Sequence, residues 1–88
     1  PKDGVYAVKV KVRQQWHRGM LNIGNRPTFD GAEKSIEVHL FDFEDDIYAV
    51  DIRIDFVQRL RDEVKFSGKE ALIAQLEKDE AMARGILN

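Results

Sequence analysis

The residues able to do chemistry fall in three short stretches. Glu37 and His39 stand two apart in an alternating run, so a strand would turn both to the same side. A carboxylate so placed can accept the proton of an attacking hydroxyl, with an imidazole beside it to orient it. The same pattern also fits a plainly solvated glutamate opposite an apolar face, and a lone histidine is more often a structural partner than a ligand. The second stretch, from Asn22 to Gly31, carries Asn22, Gly24, Asn25, Arg26, Pro27, Asp30 and Gly31. Its composition reads as a proline-bearing surface loop whose glycines serve backbone geometry. The third, Arg61-Asp62-Glu63 followed by Lys65-Phe66, reads as a charged linker into a helix. The two histidines are too far apart to suggest a zinc site, and with no cysteine there is neither a thiolate ligand, a disulfide nor a cysteine nucleophile.

Four extended segments and a helix must position these groups. Gly4 to Arg13 alternates strictly, Tyr6, Val8, Val10 and Val12 against Lys9, Lys11 and Arg13, as a half-buried strand requires. Trp16 to Gly24 is a second extended run, and Asn25 to Gly31 a long loop after it. Ser35 to Phe43 is a third strand, with Ile36, Val38 and Leu40 on one face and Glu37, His39, Phe41 and Phe43 on the other; the acidic turn Glu44-Asp45-Asp46 ends it. The fourth sets Val50, Ile52, Ile54 and Phe56 against Asp51, Arg53 and Asp55, and is expected to bulge near Phe56 and continue through Leu60. A helix of about 17 residues is predicted from Ser67, capped by its hydroxyl with Glu70 completing a capping box, and stopped at Gly85. Its apolar stripe is Leu72, Ile73, Leu76 and Ala83. Trp16 and the phenylalanines read as core or end packing before any stacking role. Strands followed by one closing helix give a mainly β fold, either a Greek-key barrel or a curled sheet with the helix against it.

The bulk numbers set outer bounds. A chain of 88 residues supports a single domain, 1–88, and not two cores. Apolar residues at 43% and charged ones at 34% describe a folded globular protein, unlike the core-poor composition of disorder. No apolar run approaches the roughly 20 residues of a membrane span, and no leader-like segment opens the chain, so the cytoplasm is the expected location. A net charge of −2, with scattered lysines and arginines, argues against nucleic acid as a partner. A nucleotide is not excluded, because it needs only one or two cations and a few backbone N–H groups.

Four blocks, in order and spacing, resemble one family. They are Gly4-Val5-Tyr6-Ala7-Val8; Asn22-Ile23-Gly24-Asn25-Arg26-Pro27-Thr28-Phe29-Asp30-Gly31; Ile36-Glu37-Val38-His39-Leu40; and Leu60-Arg61-Asp62-Glu63 with Lys65-Phe66. Together they resemble the riboflavin kinase domain of bacterial bifunctional riboflavin kinase/FAD synthetases, over essentially the whole chain. The resemblance implies a six-stranded antiparallel Greek-key barrel with one C-terminal α-helix. It implies transfer of the γ-phosphate of ATP, with Mg2+, to riboflavin to give FMN and ADP. Glu37 would be the general base. Asn22, Gly24 and Arg26 would lie beside the nucleotide, while Arg61 and Glu63 would order a loop and bind flavin with Phe66 near them. The parent protein would also adenylylate FMN to FAD.

The departures carry expectations of their own. The family's glycine-bearing segment ending in Pro-Thr-Ala-Asn, whose threonine and asparagine help hold magnesium and nucleotide, does not occur here; Pro27-Thr28 is followed by Phe29 and Asp30 instead. On this reading the chain is N-terminally truncated, holds no metal ligand of its own and turns over little by itself. Leu21 replaces the usual alanine before Asn22, and Ala49 follows Tyr48 where glycine is common; both look tolerable. The expected edge left open beside the Gly4–Arg13 strand would invite self-association. The rival reading is a non-catalytic small-barrel module that binds flavin or a protein strand.

Overall fold

The computed structural model describes residues 1–44 and 51–88. The turn at Asp45 and Asp46, the Tyr48-Ala49 pair and Val50 lie outside the described residues. Four strands, β1 (Gly4–Val12), β2 (Gln15–Thr28), β3 (Gly31–Leu40) and β4 (Ile52–Arg61), precede the helix α1 (Lys69–Leu87). They form one sheet in the order β3-β2-β1-β4 with every pairing antiparallel. Three consecutive strands with the fourth returning beside the first is the Greek-key arrangement. The sheet is not closed among the described residues, so the six-stranded barrel expected from the family is seen here as an open, barrel-like sheet.

β1 is the central strand. Both its sides are taken, by β2 and β4, and the free edges among the described residues belong to β3 and β4. This corrects the expectation of an open edge at β1. The period-two pattern of β1 sorts its residues as read: Tyr6, Val8, Val10 and Val12 pack with Leu21, Ile23 and Leu40 on one face. On the other face Ala7, Met20 and Phe41 meet Ala83 and Leu87 of the helix.

Local chemistry departs from the sequence reading in several places. β3 stops at Leu40, short of Phe43, and Asp42 at φ 57° turns the chain, so that Phe43 packs with the Tyr6–Val8 cluster while Phe41 stays on the helix face. β1 ends at Val12, because Arg13 and Gln14 form a two-residue hairpin turn at φ 49° and 74°. That is the primed-turn geometry that matches strand twist, made here without the usual Asn-Gly. The long loop is instead a hairpin: Asn25–Thr28 pairs with Gly31–Lys34 around Phe29 and Asp30 alone, with Gly31 at φ 138°. Pro27 is tolerated because it lies beyond Gly4↔Ile23, the last β1–β2 pair, where β2 has only one neighbour. At the helix start the cap is Gly68, without a side-chain hydrogen bond, so Ser67 does not cap. The helix also runs through Gly85 to Leu87. Burying Leu87, with Ile86 partly buried beside it, outweighs the roughly 1 kcal/mol that glycine costs inside a helix.

The bulge expected near Phe56 is present. Phe56 faces Val8 but Gln58 faces Ala7, so Val57 is extra; a second shift makes Leu60 extra before Arg61 faces Val5. The first bulge sends Arg59 to the face of Tyr6, and the second returns Arg61 to the helix face. Of the aromatic residues, Phe41 is buried and Phe56 meets Tyr6 edge-on at 5.2 Å. Trp16 is half-exposed and Phe29 fully exposed at the hairpin tip, so neither is core.

Gly19 faces Leu40 where β2 and β3 lie close together. A Cβ there would stand 2.6 Å from the backbone oxygen of His39. Gly19→Ala must therefore part the two strands and is expected to destabilise the fold by about 1–3 kcal/mol, read from urea unfolding. A neutral result would mean the strand pair yields freely.

Candidate active site

The sheet's helix face, the first half of α1 and the segment after β4 enclose a cleft of about 520 Å3. Its floor is Val5, Met20 and Asn22 of β1 and β2. Glu37 and His39 of β3 rise at one side, because Asn22 pairs with Glu37 and Met20 with His39 across the β2–β3 ladder. Arg61, Glu63, Val64 and Phe66 form a second wall, and Leu72, Ile73 and Leu76 a third. These helix residues are half-exposed, lining the cleft where the sequence pattern reads them as core. The site is an apolar slot with a few convergent polar groups, as sites for aromatic small molecules commonly are.

Glu37 meets Arg26 at 3.6 Å, with both side chains about two-thirds exposed. Such a pair is weak in water, so the carboxylate is available to a ligand. The Asn22 side-chain oxygen is buried without a hydrogen-bond partner. A buried polar atom left unpaired at the floor of a cleft suits a donor brought by a ligand. Gly24 does not line the cleft, but a Cβ on it would stand 2.5 Å from the Glu63 carboxylate, so the side chain of Glu63 lies over β2 at this point. Arg26 reaches the site only through Glu37.

Arg61 is the most heavily engaged of the expected site residues. Its Nε and Nη2 donate to both oxygens of Asp79, at 2.7–3.0 Å, and its Nη1 donates to the Asp62 carbonyl at 2.9 Å. Its guanidinium lies 5.8 Å from the centre of the Phe66 ring. Gln75, one helical turn before Asp79, donates to the same carboxylate at 2.9 Å. Burial pushes the Asp79 carboxyl upward, but the Arg61 hydrogen bonds, the Gln75 amide and the Arg61 charge together hold it below the usual carboxylate range. The same hydrogen bonding raises Arg61 above its ordinary range, against the opposing effect of burial. At the next residue, Arg59 clasps Asp62 at 2.6 Å and also donates to the Asp3 carbonyl at 2.7 Å.

The structure therefore gathers Asn22, Glu37, His39, Arg61, Glu63 and Phe66 around one cleft, sets Gly24 behind Glu63, and leaves Arg26 at the rim. Asp79 and Gln75 were missed in the sequence. The signal was there: Asp79 falls three residues after Leu76 and four before Ala83, an acid inside the apolar stripe. Among the described residues no three acidic, histidine or cysteine side chains gather to hold a metal ion. The described residues do not make a magnesium site by themselves. No helix among the described residues is long and apolar enough to cross a membrane.

This geometry can be set beside known proteins. The flavokinase (riboflavin kinase) family model matches residues 1–87. A bifunctional riboflavin kinase/FMN adenylyltransferase of Listeria monocytogenes is 51% identical over 85 residues, covering 96% of this chain and 27% of the relative. That of Haemophilus influenzae is 40% identical over 89 residues, 100% of this chain and 29% of the relative. The chain thus spans about a third or less of the length of the relatives it matches. A crystal structure described as a macrolide-efflux protein from Streptococcus pneumoniae superposes with a TM-score of 0.87 at 42% identity, over 96% of this chain and 28% of that one. Matched from its first strand to the end of its helix, the chain belongs to the riboflavin kinase family.

Proposed function

We propose that this chain forms the flavin side of a site that phosphorylates riboflavin, within a longer protein that also adenylylates FMN to FAD. The observation that carries the reading is the meeting of Glu37 and the Arg61–Phe66 segment across one apolar cleft. The flavin ring lies along Leu72, Ile73, Leu76 and Phe66, a surface of its own flat and apolar character. Its ribityl tail then runs toward Glu37. The terminal hydroxyl gives its proton to the Glu37 carboxylate as its oxygen bonds to the γ-phosphorus of ATP, and the bond from that phosphorus to the β,γ-bridging oxygen breaks to release ADP. Asn22 and Arg26 face the phosphates, while the space over Gly24 is already filled by the Glu63 carboxylate. Magnesium arrives with ATP as part of the substrate. ATP supply makes the cytoplasm the place of reaction, and the free edges of β3 and β4 are where another strand, including one from a second copy, would add.

The test is riboflavin fluorescence with the full-length protein, titrated with and without ADP and magnesium, followed by ATP-dependent FMN formation. Quenching that tightens when ADP and magnesium are present, with FMN produced from ATP, is expected. Quenching without FMN formation would leave the non-catalytic binding module standing, and no quenching under either condition would reject the flavin assignment.

A further inference from the structure

Asp79 is the one buried charged side chain among the described residues, 2% exposed. It lies in the middle of a helix stripe that is otherwise apolar. A buried ion pair gives little net stability over an apolar pair of the same volume. Its presence there points to a positional task. Asp79 binds Arg61 in a two-pronged fork, and with Nη1 donating to the Asp62 carbonyl all three guanidinium nitrogens are engaged. Such a fork fixes the plane of the guanidinium as well as its place. That plane carries the contact to Phe66. From Asp62 to Phe66 the backbone belongs to no strand or helix, so the segment has no ladder to hold it and depends on its side-chain anchors.

We propose that Asp79 is a positioning residue which, through Arg61, sets the Arg61–Phe66 wall at the distance from α1 that admits the flavin ring. This rests on the riboflavin kinase reading of the cleft. Arg61 acts here as a strut with a donor from each of its three nitrogens engaged by the protein, and the flavin contacts of this wall come from Phe66 and Glu63. Gln75 holds the Asp79 carboxylate in the rotamer that receives the fork.

The test uses Asp79→Asn and Gln75→Leu in the full-length protein, with KM for riboflavin and kcat for FMN formation measured separately and folding checked by thermal unfolding. Asp79→Asn is expected to raise the riboflavin KM by about tenfold or more with kcat within about threefold, because the wall loosens while Glu37 is untouched. Gln75→Leu is expected to raise KM by about twofold to threefold by the same route. A folded Asp79→Asn protein with unchanged KM, or one that loses kcat alone, overturns the proposal. If Asp79→Asn does not fold, Gln75→Leu decides: a raised KM supports the strut and an unchanged one removes it. A wild-type protein that makes no FMN would instead sink the kinase reading itself.

Discussion

Glu37→Gln in the full-length protein is expected to slow FMN formation by about a hundredfold or more while riboflavin affinity stays within about threefold. Glutamine keeps the shape of the side chain and its ability to hydrogen-bond, and removes the negative charge and with it the capacity to take a proton. An alcohol attacks phosphorus poorly until that proton leaves, so the loss falls on kcat. Stability should barely move, because the only ion pair broken among the described residues is the exposed contact to Arg26, worth under about 1 kcal/mol. Single-turnover conversion at saturating riboflavin and ATP separates these effects. Undiminished conversion with normal flavin binding would take the base assignment away from Glu37 and leave the carboxylate as a solvated edge of the cleft.

The alternation that revealed the sheet also fixed the face on which Glu37 stands, while its choice as the base came from the motif resemblance. Alternation over Ser35–Leu40 fixes which side chains share a face, and the β2–β3 register then places Glu37 opposite Asn22. Likewise Tyr6, Val8, Val10 and Val12 announced the core because Lys9 and Lys11 alternate with them where the opposite face of β1 is open to solvent. Where local composition competes with pairing, the reading failed. Asn25 to Thr28 has the residues of a loop, yet continuing the ladder to Gly31 satisfies backbone groups that a loop would leave to water. Gly85 is a natural helix stop, but stopping there would leave Ile86 and Leu87 off the sheet. Motif resemblance marked Asn22, Glu37, Arg61, Glu63 and Phe66, and the fold brings these five to one cleft. Asp79 escaped because its partner, Arg61, is 18 residues away in sequence and the pairing exists only once α1 packs back on the sheet.

That pairing makes the second large prediction, which concerns stability and not turnover. Arg61→Ala is expected to destabilise the protein by about 3 kcal/mol at pH 7, since it leaves Asp79 ionised and buried with only Gln75 as a partner. The pH dependence identifies the cause. In the wild type the folded Asp79 titrates below the unfolded carboxylate, so its contribution is complete above the ordinary value near 3.9 and is lost as pH falls through the folded value. In the variant the influences that lowered it are mostly gone and burial, which raises it, remains. The folded variant then binds a proton more readily than the unfolded chain, and lowering the pH from 7 restores stability to it. The two proteins respond in opposite directions at this residue, and once Asp79 is protonated in both, its charge no longer distinguishes them. Urea unfolding from pH 7 to pH 4 should therefore show the gap between wild type and Arg61→Ala narrowing steadily. A gap that stays constant would mean that Arg61 contributes through packing on Phe66 alone, and that the ion pair, for all its geometry, does not hold the cleft wall to the helix.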